Sequence, residues 1–255
     1  MIYIEEIINY GGSRMNKLNV LEVNFESNGM MDTIYPVILS DNKEMILIDC
    51  GYPNFLTLIE ECASKNNIDL SNLTKLIITH HDFDHMGSAA DLKAKYPNIQ
   101  ILASSKDEKY INGKEKSLRL QQAESIYDSL PEEQKEGALN FQKILESIDN
   151  VDIDITLNDG DIFDWCGGIE IIETPGHMPG HISIYIKESR TLIAGDALVI
   201  ENNKLAIANP QYTLDMREAK KSINKLLNYK IDKIICYHGG IYQSDIKSSL
   251  EKNLK

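Results

Sequence analysis

Between residues 79 and 87 the chain reads Thr-His-His-Asp-Phe-Asp-His-Met-Gly, which crowds His80, His81, Asp82, Asp84 and His85 together. The apolar run Leu76-Ile77-Ile78 precedes it, and Ser88, Ala89, Ala90, Asp91 and Leu92 follow with helical character. Such a cluster has two readings. It is a polar, solvated loop, or it is a group of imidazole and carboxylate ligands at the carboxyl end of a buried strand. First-row transition metals take nitrogen and oxygen donors of this kind. The choice depends on whether the rest of the chain supplies more ligands.

The bulk numbers exclude several classes. A chain of 255 residues suits one large domain or two small ones and can bury a substantial core. Its 42% hydrophobic and 25% charged content is that of a soluble globular protein. The net charge is −13 and no run of Lys or Arg forms a basic stripe, so nucleic acid is not an expected partner. Cys50, Cys62, Cys166 and Cys236 are scattered without a CxxC spacing. They read as small buried hydrophobes in a reduced, cytoplasmic setting, not as a disulfide framework. No apolar run is long enough to span a membrane, and none is expected as a partner. Residues 1–14 lack the positive start and small-residue cleavage site of a secretion signal. They end in Gly11-Gly12-Ser13-Arg14 before Met15, and we read them as an N-terminal extension with Met15 as the natural start.

Strands are expected at 18–25, 33–39 and 45–48, the last two joined in a hairpin through Asp41-Asn42-Lys43. Asn54 is placed to cap a helix running to about Lys65, with Phe55, Ile59 and Cys62 on one face. A buried strand at 73–78 leads into the opening motif, and a helix at 88–96 and a strand at 99–103 follow. Residues 106–150 are charge-rich, lack strand signals and break at Leu130-Pro131. They read as two or three helices, either packed on the outside or inserted as a cap over a substrate pocket. Further strands are predicted at 151–155, 161–163, 169–173, 182–186, 191–194 and 233–236, with helices at 214–227 and 242–254. The order of strands, helix, strand and helix occurs twice, which predicts an α/β (more fully α+β) fold with two facing sheets and helices outside. No linker divides it, so 15–255 is expected to form a single domain with 106–150 as its insertion.

The remaining histidines fall in two further clusters. His177 and His181 lie in Thr-Pro-Gly-His-Met-Pro-Gly-His, and His238 in Cys-Tyr-His-Gly-Gly. Asp196 lies in Ala-Gly-Asp-Ala. Each follows a predicted strand and sits in a Gly-bearing turn, where sites are commonly built. Together with the opening motif they form a coherent nitrogen and oxygen ligand set for two metals.

This ordered set of motifs, from about residue 18 to the end, resembles the metallo-β-lactamase superfamily. The resemblance implies an αββα sandwich with a dinuclear site at the sheet edges. Carried over residue by residue, it implies that His80, Asp82 and His177 hold a first metal and that Asp84, His85 and His238 hold a second. Asp196 would bridge them. His81 would point away from the metals, and His181 would stabilise a loop. Asp49 matches the family's structural Asp near the site; its other reading is a turn-capping carboxylate. Asp82 departs from the commoner pattern, which has His there. Two divalent ions, three carboxylates and a hydroxide sum to zero, so a less electrophilic site is expected. It should tolerate Mn or Fe, with zinc the first choice.

The activity the resemblance implies is hydrolysis of an ester, thioester or lactone bond of a small molecule, with Asp84 as the catalytic residue. Uncharacterised bacterial hydrolases of this family are most similar, then glyoxalase II and acyl-homoserine lactonases. Thr-Pro-Gly-His favours the glyoxalase-II-like reading, but no C-terminal substrate domain follows His238. The lactonase-like reading fits the size, but Ala197, Leu198, Val199 and Ile200 stand where a Tyr is usual. The alternatives are a phosphodiesterase, a di-iron oxidoreductase with a separate flavin partner, and a non-catalytic metal-binding effector.

Overall fold

A computed structural model describes residues 6–8, 16–27 and 29–254. The first sheet runs Glu6–Ile8, Asn16–Val20, Val37–Ser40, Met45–Ile48, Lys75–Ile78, Gln100–Ser104 and Ile155–Leu157 in spatial order. The second runs Ile162–Phe163, Ile169–Glu173, Ile182–Ile186, Thr191–Gly195, Lys233–Cys236 and Gly240–Tyr242. The last four strands of the first sheet are parallel. In the second sheet the parallel pair is Thr191–Gly195 with Lys233–Cys236.

Alternation along the strands builds the layers. Ile46, Ile48, Ile77 and Leu102 point inward against Ile171, Ile184, Ile193 and Ile235 of the facing sheet. Their neighbours Leu47, Leu76, Ile78 and Ile101 point outward, onto Ile59 and Ala63 of helix Leu56–Lys65 and Ala89 and Leu92 of helix Ala89–Lys95. On the far side, Ile172, Leu192 and Ile234 meet Ile223 and Leu226 of helix Met216–Leu226 and Leu250 of helix Ile246–Lys252. The result is four layers, αββα. Strands buried on both faces read as unbroken apolar runs, and each buried Ile or Leu contributes roughly 1.5–3 kcal/mol.

The insertion holds helices Glu108–Ile111, Leu118–Ile126 and Glu132–Glu146. Leu120, Ala123 and Leu145 form a small core of their own, joined by Phe141 and by Phe83 of the opening motif. Among the described residues no helix is long and apolar enough to cross a membrane. All four cysteines are free thiols, and Cys50, Cys166 and Cys236 are buried.

Several boundaries differ from expectation. The 18–25 strand is two, Asn16–Val20 in the first sheet and Val23–Ser27 in a separate hairpin with Met30–Ile34. The 33–39 strand breaks at Tyr35-Pro36, because Pro36 has no N–H to give a ladder. Asn54 does not cap: it takes φ 68°, and Phe55 occupies the cap position with its N–H on Ser88 Oγ at 2.8 Å. The 151–155 strand is Ile155–Leu157, and the last helix starts at Ile246 because Gly240–Tyr242 turns back onto the sheet. Of the N-terminal extension, Glu6–Ile8 pairs with Asn16–Val20, and Met15 lies outside the described residues.

Gly87 closes the motif against the turn before helix Leu56–Lys65. A Cβ there would lie 2.3 Å from both Phe83 O and Pro53 N and 2.4 Å from Tyr52 C. These are backbone atoms, which cannot rotate away. Gly87→Ala is expected to cost about 3 kcal/mol and to lower Tm by about 6–12 °C for a chain of this size, read by thermal unfolding.

Candidate metal centre

All the candidate ligands sit where strands end on one rim of the sandwich. The opening motif follows Lys75–Ile78, His177 follows Ile169–Glu173, Asp196 follows Thr191–Gly195 and His238 follows Lys233–Cys236. The two sheets touch here through Ile182 N–H donating to Thr79 O at 3.0 Å. Two tight approaches shape the turns. Gly176, at φ 141°, has no room for a Cβ, which would sit 2.4 Å from Ala219 Cα. That closeness presses the His177 turn onto helix Met216–Leu226. Gly195, at φ 53°, lies beneath the His181 ring, whose Nε2 would be 2.7 Å from its Cβ.

Asp49 fixes the orientation of the motif. One oxygen accepts Thr79 N–H at 2.8 Å; the other accepts the Thr79 hydroxyl and His85 Nδ1–H, each at 2.8 Å. Because Nδ1 carries the proton, the His85 Nε2 lone pair points into the cluster. Thr79 Oγ1 in turn accepts His80 Nδ1–H at 3.0 Å and leaves His80 Nε2 likewise directed. Asp49 therefore orients two candidate ligands, His85 directly and His80 through Thr79, and does more than cap a turn. Asp49→Asn is expected to weaken metal affinity about 10–100-fold, as loss of a partner that orients a ligand does; a metal titration measures it.

The donor atoms converge in two groups, and Asp196 lies between them. Asp82 Oδ2 is 3.0 Å from His177 Nε2 and 3.5 Å from His80 Nε2. Asp84 Oδ2 is 3.1 Å from His238 Nε2 and 3.7 Å from His85 Nε2. Asp196 Oδ1 is 3.4 Å from His85 Nε2, and its Oδ2 lies 3.6 Å from His177 Nε2 and 3.7 Å from His238 Nε2. Ligand bonds of 2.0–2.1 Å in a tetrahedron place donors about 3.3 Å apart, so these separations fit divalent ions. The partner count agrees. Buried His80 Nε2, His85 Nε2 and Asp196 Oδ1 have no hydrogen-bond partner among the described residues. Leaving such an atom unpaired costs about 1–3 kcal/mol, which a bound cation would offset.

His81 and His181 stand outside the two groups. His81 Nδ1–H donates to Asp107 at 2.8 Å, its Nε2 accepts Leu118 N–H, and its ring stacks on Tyr110 at the base of the insertion. His181 Nδ1–H donates to Thr174 Oγ1 at 2.8 Å, and its Nε2 accepts the Asp196 N–H at 2.9 Å. Burial, with His177 nearby, pushes the His181 imidazole down to about 3, so it stays neutral and holds the Asp196 turn.

Arg119 is the residue that the sequence reading missed. It comes from helix Leu118–Ile126 of the insertion and is buried. Its Nε donates to Asp82 Oδ1 at 3.1 Å and its Nη2 to Asp82 Oδ2 at 2.6 Å, a forked pair. Nη2 also donates to Tyr212 O at 2.9 Å, and Nη1 donates to Gln122 Oε1 at 2.6 Å. Burial alone would raise the Asp82 carboxyl, but His177, His80 and Arg119 hold it well below the usual carboxylate range. The carboxylate that stands in place of the usual imidazole arrives with its own cation, a charge that the expected sum did not include. Two signals pointed here: Asp82 itself, an added buried charge that needs a partner, and Arg119 as the one arginine among the six lysines of 106–150.

Above the donors lies a cavity of about 620 Å³. Asp84, His177, Asp196 and His238 form its floor, and residues from Arg119 to Phe141 of the insertion form one wall. The insertion therefore covers the donor groups and is not merely an outer layer.

A four-layer sandwich with paired His/Asp groups on one strand-end rim defines a class of metal-centred folds. The sequence model of the metallo-beta-lactamase superfamily matches residues 33–238, and the chain belongs to that superfamily. Among curated relatives, a probable metallo-hydrolase, YflN of Bacillus subtilis, is 27% identical over 218 residues, covering 78% of this chain and 77% of the relative. The hydroxyacylglutathione hydrolase GloC of Haemophilus influenzae is 31% identical over 166 residues, covering 64% of this chain and 65% of the relative. A metallo-beta-lactamase family protein from Thermus thermophilus superposes with a TM-score of 0.72 at 19% identity, over 93% of this chain and 78% of that one. Its likeness is one of fold.

Proposed function

We propose that this chain is a metal-dependent hydrolase that cleaves an ester, thioester or lactone bond of a small molecule at a dinuclear, zinc-preferring centre. The observation that carries the reading is the convergence of unpartnered, buried His80 Nε2, His85 Nε2 and Asp196 Oδ1, the last on a residue that lines the cavity. His80, Asp82 and His177 would hold one ion, Asp84, His85 and His238 the other, and Asp196 would serve both. Two such ions supply an acidified water and polarise a carbonyl oxygen.

The protein's own groups do the rest. Arg119 keeps Asp82 ionised and in place. Asp84 borders the cavity, where its carboxylate can orient the nucleophile and carry a proton to the leaving group. The insertion narrows access to water on one side. The relatives named hydroxyacylglutathione hydrolase support a thioester among the candidate bonds. A cytoplasmic location accords with the free thiols.

The test is metal analysis of purified protein together with a panel of esters, thioesters, lactones and phosphodiesters. Asp84→Asn and His177→Ala should each lower turnover at least about a hundredfold, beyond the roughly 10–100-fold of groups that only orient ligands. Unchanged turnover and metal content in both variants would overturn the assignment.

A further inference from the structure

We infer that the substrate of this site carries no anionic group and presents an apolar acyl chain to the wall built by the insertion. This rests on the hydrolase reading and narrows its substrate class.

The walls carry the first half of the argument. Phe83, Ile126, Ala138 and Phe141 of the motif and the insertion line the cavity, as do Val199 and Ile200. Ile126 is 49% exposed at the lip, which leaves an apolar face open to whatever enters. Burying an alkyl chain between such walls gains about 0.8 kcal/mol per methylene.

Charge carries the second half. Among the described residues that line the cavity, Arg119 is the only lysine or arginine. It has no free charge to offer: Asp82 neutralises it, and Nε, Nη1 and Nη2 all already donate. Away from the donor groups, the charged side chains on the lining are the carboxylates Asp32 and Glu201. A glutathionyl thioester brings two carboxylates held away from the reacting carbon, into a lining with no free protein cation to receive them. A neutral ester, thioester or lactone of an apolar acid avoids that penalty. In the reaction, the oxygen of water forms the new bond to the acyl carbon, the bond from that carbon to oxygen or sulfur breaks, and the leaving group takes up a proton.

The test uses the metal-loaded full chain and p-nitrophenyl esters from acetate to octanoate, together with p-nitrophenyl hemiglutarate and lactoylglutathione. We expect kcat/KM to rise about fourfold per methylene until the cavity is filled. The hemiglutarate should be cleaved at least tenfold less efficiently than its neutral methyl ester, and lactoylglutathione less efficiently than the hexanoate. Ala138→Lys, which adds a cation on the wall and touches no donor, should raise kcat/KM for the hemiglutarate at least about fivefold. A flat chain-length series, or preference for either anionic substrate, would overturn the inference. Calorimetry with butyramide, hexanamide, octanamide and S-methylglutathione gives a readout free of turnover. Amide binding that tightens with length, with no ester cleaved, leaves the inference standing and refutes the hydrolase reading. Amide binding that does not tighten, or tighter binding of S-methylglutathione, refutes the inference.

Discussion

Asp196→Ala is expected to lower hydrolysis by at least about a hundredfold, beyond the roughly 10–100-fold of a residue that only orients a ligand, and to release bound metal from both halves of the site. The two Asp196 carboxylate oxygens reach donors of both groups. One Asp196 oxygen is 3.4 Å from His85 Nε2, and the other is 3.6 Å from His177 Nε2 and 3.7 Å from His238 Nε2. Its backbone is fixed as well. The N–H donates to His181, and the residue before it, Gly195, sits at a register shift between Thr191–Gly195 and Lys233–Cys236. Elemental analysis alongside kcat/KM checks the claim. Retention of full metal content would show that Asp196 is not shared.

The second large effect concerns the pair from Arg119 to Asp82, measured in chelated protein so that no metal compensates. Arg119→Met leaves a buried carboxylate without its cation. Breaking a buried pair in this way costs about 3–5 kcal/mol, or roughly 6–20 °C in Tm for a chain of this size. Asp82→Asn strands the guanidinium instead and should cost a comparable amount. The double variant removes both charges, so its loss should fall short of the sum by about 2–3 kcal/mol, the coupling expected of residues in direct contact.

The pH dependence has a definite sign. The folded Asp82 carboxyl lies below its ordinary value. Its stabilisation is therefore complete above the unfolded value near 3.9 and is lost as pH falls through the lower folded one. Arg119→Met raises the folded value, so acid unfolding should begin at higher pH. Additive losses and an unmoved acid transition would show that the pair is not coupled.

The two residues illustrate how far the chain could be read without coordinates. Asp196 was legible as a candidate because the candidate ligands sit in short motifs after strands, and the strand before it, Thr191–Gly195, is a mostly apolar run buried along its whole length. Arg119 was not, because it meets Asp82 across 37 residues with no local pattern linking them. Tertiary packing alone creates that contact. Two other misses had local signals. Pro36 marks the end of a strand that the β-rich stretch around it conceals. Asn202 and Asn203 both take positive φ, 50° and 60°, in the two-residue turn of hairpin Val199–Glu201 with Lys204–Ala206. Paired asparagines between β-formers suit such a turn. That hairpin brings Val199 and Ile200 to the cavity, so the missed turn was also a missed wall.

Hydrolysis should depend on metal held by the His and Asp donors. Stripping the protein with a chelator and titrating zinc back, with bound metal and turnover of a neutral ester followed together, tests it most directly. Stripped protein should be inactive, with turnover returning in step with bound zinc and reaching its plateau at two ions per chain. Continued hydrolysis by the metal-free chain, or turnover that does not follow bound zinc, would contradict it.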